Sequence, residues 1–165
     1  MRDYKKFFTP PDVALRMAKL LLRHNPRYIL EPSAGNGSLV RAIKHINSEC
    51  HVVAFEINPK FKKDLEEVAN MVIIHDFLEC NLKGDFDAVI ANPPFNKETS
   101  IDEHIKMMMQ VVRPGGVILT IVPSPTTLTV PSFVFPLTNW AKNKDGFITP
   151  IEIREFINPL AFPKP

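Results

Sequence analysis

Apolar residues recur along this chain with two periods, one helical and one continuous. Over residues 12–24, Val13, Met17, Leu20 and Leu21 fall at helical spacing behind Thr9-Pro10-Pro11, which predicts an amphipathic helix. Arg27-Tyr28-Ile29-Leu30 is then a short strand-like run, broken at Glu31-Pro32 and followed by a small-residue turn and a helix over 37–47. A second strand is predicted over 51–56, and Asn58-Pro59 supplies an N-cap and a first-turn proline for a helix reaching residue 70. Two further apolar runs, 71–74 and 86–91, predict the third and fourth strands, the latter entered through Lys83-Gly84-Asp85. Ser100-Ile101-Asp102-Glu103 has the form of a capping box for a helix through Val112, ended by Pro114-Gly115-Gly116, and 117–122 is a fifth strand. Strands that alternate with helices and are apolar throughout imply a mostly parallel sheet covered on both faces, a doubly wound α/β fold. Beyond Pro123 prolines and threonines dilute the pattern, leaving a helix over 133–142 and a last strand over 148–153.

Composition narrows this picture without changing it. The 165 residues, 45% apolar and 23% charged, suit one soluble domain over 1–165 with a real core. No apolar run approaches the roughly 20 residues of a membrane span, and no signal-peptide core follows Met1, so a cytoplasmic protein with no membrane partner is expected. Cys50 and Cys80 lack ligand spacing and the five histidines share no helical face, so no metal site is expected. A net charge of +2 permits a nucleic-acid partner but does not establish one. The lysines at 60, 62 and 63, like Arg2, Lys5 and Lys6, read as a solvated charged face before they read as phosphate contacts. The sixteen prolines gather at Pro10-Pro11, Pro93-Pro94 and after Pro114, where they stiffen loops.

Candidate chemistry lies at the strand ends, where open α/β sheets bind ligands. The turn after the first strand, Glu31-Pro32-Ser33-Ala34-Gly35-Asn36-Gly37, is small at Ala34, Gly35 and Gly37, so the backbone can approach a ligand and the helix start offers N–H groups. It lacks the full dinucleotide glycine pattern and positive charge, which favours a ligand with an amino acid part over a pyrophosphate; a plain tight turn explains the same residues. Glu56, about twenty residues after the glycines, stands where an acid accepts from ribose hydroxyls. Asp76 after the third strand can accept from an adenine amino group while the Phe77 N–H donates to the ring. At the end of the fourth strand comes Asn92-Pro93-Pro94-Phe95. The prolines fix the backbone and leave the Pro93 carbonyl as an acceptor beside the Asn92 amide oxygen, so the two can hold both hydrogens of a planar amino group and expose its lone pair. That nitrogen can attack a sulfonium methyl in line, with positioning and electrostatics supplying most of the acceleration. Phe95 adds a face for an extruded base, worth roughly 1 to 3 kcal/mol.

These residues carry a resemblance. Phe7-Phe8-Thr9-Pro10-Pro11, the run from Ile29 to Leu39 and Asn92-Pro93-Pro94-Phe95 resemble, in that order, the N-terminal, cofactor and catalytic motifs of gamma-type N6-adenine DNA methyltransferases, including catalytic domains of type I and type II modification enzymes. The similarity implies a Rossmann-like class I fold that transfers a methyl group from S-adenosyl-L-methionine to the N6 of a flipped adenine in DNA. It implies that Phe8, Thr9 and Pro10 line the methionine end of the cofactor, with Glu31 near its amino group beside Pro32, Ala34, Gly35 and Gly37. Glu56 then takes the ribose, Asp76 and Phe77 the adenine, and Asn92, Pro93, Pro94 and Phe95 the target base. Ile157-Asn158-Pro159-Leu160-Ala161-Phe162 resembles the family's late motif with a second base-contacting aromatic, though a Phe162 packed on the sheet explains it equally, and with only three residues after it a final antiparallel strand is expected to be missing. No target-recognition domain is evident, which points to a specificity subunit or a homo-oligomer. RNA guanine-N2 and protein glutamine-N5 methyltransferases share the Asn-Pro-Pro-aromatic turn and stand as rivals, as does a noncatalytic cofactor- or DNA-binding subunit.

Overall fold

The computed structural model describes residues 8–83, 85–94, 101–124, 128, 131–137 and 151–158. Phe7, Phe95, Ser100 and the segment 159–165 lie outside them. Seven strands form one sheet in the order β3-β2-β1-β4-β5-β7-β6. These are β1 (Tyr28–Glu31), β2 (His51–Glu56), β3 (Met71–Ile74), β4 (Phe86–Ala91), β5 (Val112–Pro123), β6 (Phe133–Pro136) and β7 (Ile151–Ile157). The first five pair in parallel, with Leu30 opposite both Val53 and Val89. β7 runs antiparallel to β5, and β6 antiparallel to β7.

Two apolar layers hold the sheet. Alternate residues of each strand point to opposite faces: Ile29, Val52, Ala54 and Ile90 join one cluster, Leu30, Val53, Phe55 and Val89 the other. On the first face lie α1 (Pro11–Leu22), α2 (Ser38–Ile46) and α3 (Lys62–Glu66), which bury Met17, Leu21, Ile43 and Leu65. On the second lies α4 (Ile101–Val111), burying Ile105, Met108 and Val111. Both faces are covered, which is why the parallel strands read as uninterrupted apolar runs.

Several expectations need correction. The helix predicted to reach residue 70 is a 3-10 turn over Pro59–Phe61 and a short α3. Asn70 is captured instead by β2: its N–H donates to the Val52 carbonyl at 2.9 Å, and its side-chain oxygen accepts from the Val52 N–H at 2.8 Å. Residues 133–136, expected to open a helix, form β6, and the last strand lies over Ile151–Ile157. The antiparallel strand thought to be missing is therefore present. β5 starts five residues early, because Gly115 and Gly116 exchange backbone hydrogen bonds with Asn158.

Candidate active site

Strand order reverses between β1 and β4, since β2 and β3 extend one way and β5 the other. The crevice outside the carboxyl ends of β1 and β4 is where such a sheet binds ligands. Glu31 ends β1 and Asn92 follows β4 directly, so the two sequence motifs come together there.

The glycine turn is held by two buried carboxylates. Glu31 is 1% exposed and its Oε1 accepts from the Ser33 N–H at 2.8 Å. Glu56, at the end of β2 and 3% exposed, accepts from the Gly35 N–H at 2.7 Å on one oxygen and from the Asn58 N–H at 2.8 Å on the other. The Ala34 N–H donates to the Phe55 carbonyl and the Gly37 N–H to the Ala34 carbonyl, both at 2.8 Å. The Ser38 N–H donates to the Asn36 side chain. The expectation that this turn offers its N–H groups to a ligand is thus corrected for Ser33, Ala34, Gly35, Gly37 and Ser38, which spend them inside the protein. The glycines are small for different reasons. Gly35 (φ +54°) would bring a Cβ to 3.2 Å from the Phe8 ring, whereas Gly37 (φ +83°) would meet Leu65 of α3 at 3.1 Å. Gly37 therefore serves the packing of α2 on α3, and Gly35 the approach of the N-terminal segment.

That segment joins the two motifs. Phe8, 42% exposed, lies edge-on to Phe61 with ring centroids 5.6 Å apart. Pro10 is the residue before α1 and accepts at its carbonyl from the Ala14 N–H. Between them Thr9 is buried; its carbonyl accepts from Ser38 Oγ at 2.6 Å, and its Oγ1 accepts from Asn92 Nδ2 at 3.1 Å. Pro32 and Pro93 are buried, and Pro94 is exposed. Past β3, Asp76 accepts from the Leu78 N–H at 2.9 Å, opening a 3-10 turn whose Phe77 packs edge-on against Phe55.

Some placements escaped the sequence. Ile57, next to Glu56 and 40% exposed, offers an apolar face beside the carboxylate. Beyond the end of β5, Ser124 donates to Glu152, which pairs with Arg154 at 2.6 Å, and Arg154 reaches Ser132. The Ile157-Asn158 part of the late motif is not at this edge. Asn158 donates from its side chain to the Val112 carbonyl at 2.9 Å, at the opposite end of β5, and residues 159–162 lie outside the described residues. Among the described residues no group of three His, Cys, Asp or Glu side chains could hold a metal, and no helix is long and apolar enough to cross a membrane.

The family model described as a methyltransferase domain matches residues 30–120, more than half of the chain, from the end of β1 through β5. The chain belongs to the methyltransferase domain family. Among curated relatives, this methyltransferase domain is 30% identical over 90 residues to the type II methyltransferase M.CvrRI of Paramecium bursaria Chlorella virus XZ-6E, a match covering 54% of the chain and 24% of the relative. It is 30% identical over 102 residues to the type II methyltransferase M.AccI of Acinetobacter calcoaceticus, covering 58% and 19%. It is also 29% identical over 123 residues to ribosomal RNA large subunit methyltransferase G of Photobacterium profundum, covering 63% and 33%. The chain thus spans a third or less of these relatives' lengths. In fold it resembles a SAM-dependent O-methyltransferase from Thermotoga maritima, with a TM-score of 0.66 at 13% identity over all of this chain and 71% of that one.

The fold is that of the class I S-adenosyl-L-methionine-dependent methyltransferases, and S-adenosyl-L-methionine is the cofactor. The site suits it chemically. Two buried carboxylates and a turn that spends most of its N–H donors inside the protein would repel a pyrophosphate, while they favour an ammonium group and ribose hydroxyls.

Proposed function

We propose that this domain transfers a methyl group from S-adenosyl-L-methionine to the N6 amino group of an adenine extruded from DNA. The observation that carries the reading is the hydrogen-bonded link from the glycine turn through Thr9 to Asn92, which ties the cofactor loop to an amide at the end of β4. The similarity to two type II methyltransferases supports DNA as the acceptor. Glu31 orients the amino acid end of the cofactor, together with Phe8, the backbone of Thr9, Pro10, Pro32, Ala34, Gly35 and Gly37, while the Thr9 hydroxyl is turned to Asn92. Glu56, whose oxygens also accept from the Gly35 and Asn58 N–H groups, takes the ribose hydroxyls, as an ionised carboxylate with about four acceptor sites can. Ile57 and Phe77 bound the adenine ring, and Asp76 accepts from its amino group.

Bound S-adenosyl-L-methionine supplies a methyl carbon already activated by a sulfonium, so the protein needs to position an amine rather than deprotonate it. Asn92 Oδ1 and the Pro93 carbonyl accept the two amino hydrogens and pull the nitrogen toward pyramidal geometry. Pro93 and Pro94 hold those acceptors still, because neither backbone can rotate about φ. Phe95 stacks on the base. The surplus proton leaves to solvent after transfer.

Asn92→Ala should bind S-adenosyl-L-methionine as the parent does in calorimetry while losing tritiated-methyl transfer to duplex DNA by about 100-fold or more. Undiminished transfer refutes the assigned role. A second reading, transfer to an RNA base amino group, is favoured by the similarity to a ribosomal RNA methyltransferase; parallel assays on duplex DNA, RNA and protein from one lysate decide between them.

A further inference from the structure

We infer that Thr9 is a positioning residue for the acceptor amine: its hydroxyl tethers the Asn92 side chain at the end of β4. This rests on the reading of Asn92 given above. The Asn92 side chain turns about two single bonds, so holding its oxygen where an acceptor amine would meet it requires an anchor on the amide. Thr9 Oγ1 accepts from Asn92 Nδ2 at 3.1 Å, a bond that spans 83 residues and supplies that anchor. Thr9 is itself fixed from the other side. Ser38 Oγ donates to its carbonyl at 2.6 Å, and Ser38 is the first residue of α2, directly behind the glycine turn. The three residues Ser38, Thr9 and Asn92, from distant parts of the chain, transmit the placement of the cofactor loop to the base turn. Thr9 is buried, which shields both bonds from competing water.

The role separates from cofactor binding because it acts on the amine. Thr9→Val removes the hydroxyl at nearly constant shape, and Thr9→Ser keeps it. With whichever acceptor the parent chain methylates, Thr9→Val should lower kcat about tenfold, the scale of one positioned hydrogen bond, while the Kd for S-adenosyl-L-methionine moves less than about threefold. Thr9→Ser should restore kcat. Ser38→Ala, which leaves the hydroxyl in place and loosens its anchor, should lower kcat about threefold and so tests the link if the valine variant folds poorly. An acceptor-free reading comes from NMR of the asparagine-labelled protein: the Asn92 side-chain NH₂ resonances should shift in Thr9→Val and return in Thr9→Ser. An unmoved Asn92 resonance in Thr9→Val, or a loss confined to the cofactor Kd with kcat intact, overturns the inference. If the parent methylates RNA and not DNA, the DNA reading falls while the Thr9 effects stand.

Discussion

At the scale of single residues, the site is a matter of where two carboxylates sit. Glu56 was legible in the sequence because it is the last residue of an apolar run, a strand end that topology turns into a cleft, whereas Glu31 was marked only by the resemblance of its turn to a methyltransferase cofactor motif. Their partners were not legible. The Gly35 N–H that Glu56 accepts lies 21 residues away, and the Asn92 bond to Thr9 spans 83, separations at which no local spacing carries information. Glu56→Gln tests the consequence. The substitution keeps the shape but replaces one acceptor with a donor that must face either the Gly35 or the Asn58 N–H, a buried mismatch costing about 1 to 3 kcal/mol. The melting temperature should therefore drop by roughly 2 to 4 °C for each kcal/mol. On the proposal that this carboxylate also takes the ribose, calorimetry should show the S-adenosyl-L-methionine Kd raised about tenfold. An unchanged Kd with a lowered melting temperature would make Glu56 a scaffold residue only.

At the scale of elements, β1, β4 and β5 are locked at the end remote from the site. Asp87, where the β4 register shifts, accepts on one oxygen from the Arg27 and Tyr28 N–H groups, both at 2.9 Å, and on the other from Arg113 at 3.0 Å. Burial alone would push its carboxyl up, but the Tyr28 and Arg27 N–H groups and the Arg113 guanidinium outweigh it and hold the carboxyl below its ordinary value. A carboxyl depressed in the folded state contributes stability that is present above the unfolded value of about 3.9 and is lost as pH falls through the folded value. Asp87→Asn should accordingly be less stable than the parent at pH 7 by about 1 to 3 kcal/mol, with the gap closing in urea titrations below about pH 4. A gap that persisted at low pH would assign the loss to packing. The same scale explains where sequence reading stopped. Asp87 looked like one residue of a strand, since its partners are 60 positions away. Residues 133–136 look helical only if their neighbours are ignored; flanked by Pro131 and ending on Pro136, with Phe133, Val134 and Phe135 between, they pair with the edge of β7 instead. The parallel strands and the two long helices were readable because each meets a single apolar layer, whereas α3 was cut short by the Asn70 contact with β2, which helical periodicity cannot register.

At the scale of the molecule, chemistry and scaffold occupy opposite edges of one sheet. The carboxyl ends of β1, β2 and β4 carry Glu31, Glu56 and Asn92, while the other edge carries Asp87, Arg113 and Asn158, whose bonds tie β1, β4, β5 and β7 together. Substitutions at the remote edge should change stability alone, whereas those at the site edge should change cofactor binding or transfer as well. Charge is spread differently: 20 basic against 18 acidic residues leave a net charge of +2. Duplex DNA presents a charge about every 1.7 Å, and affinity from phosphate contacts follows the number of counterions released, so a nearly neutral surface releases few. If DNA is the acceptor, this chain should hold a short duplex only in the non-specific range, with a Kd of about 10⁻⁴ to 10⁻⁶ M and a shallow dependence on salt. Fluorescence anisotropy at 50 and 200 mM salt, about a fourfold range in concentration, measures both quantities. Saturating S-adenosyl-L-methionine should tighten binding only where an adenine is mismatched or unpaired, since such a base is already easy to extrude. Nanomolar binding to fully paired duplex with a steep salt slope would instead mean that a charged surface, rather than the base turn, holds the acceptor.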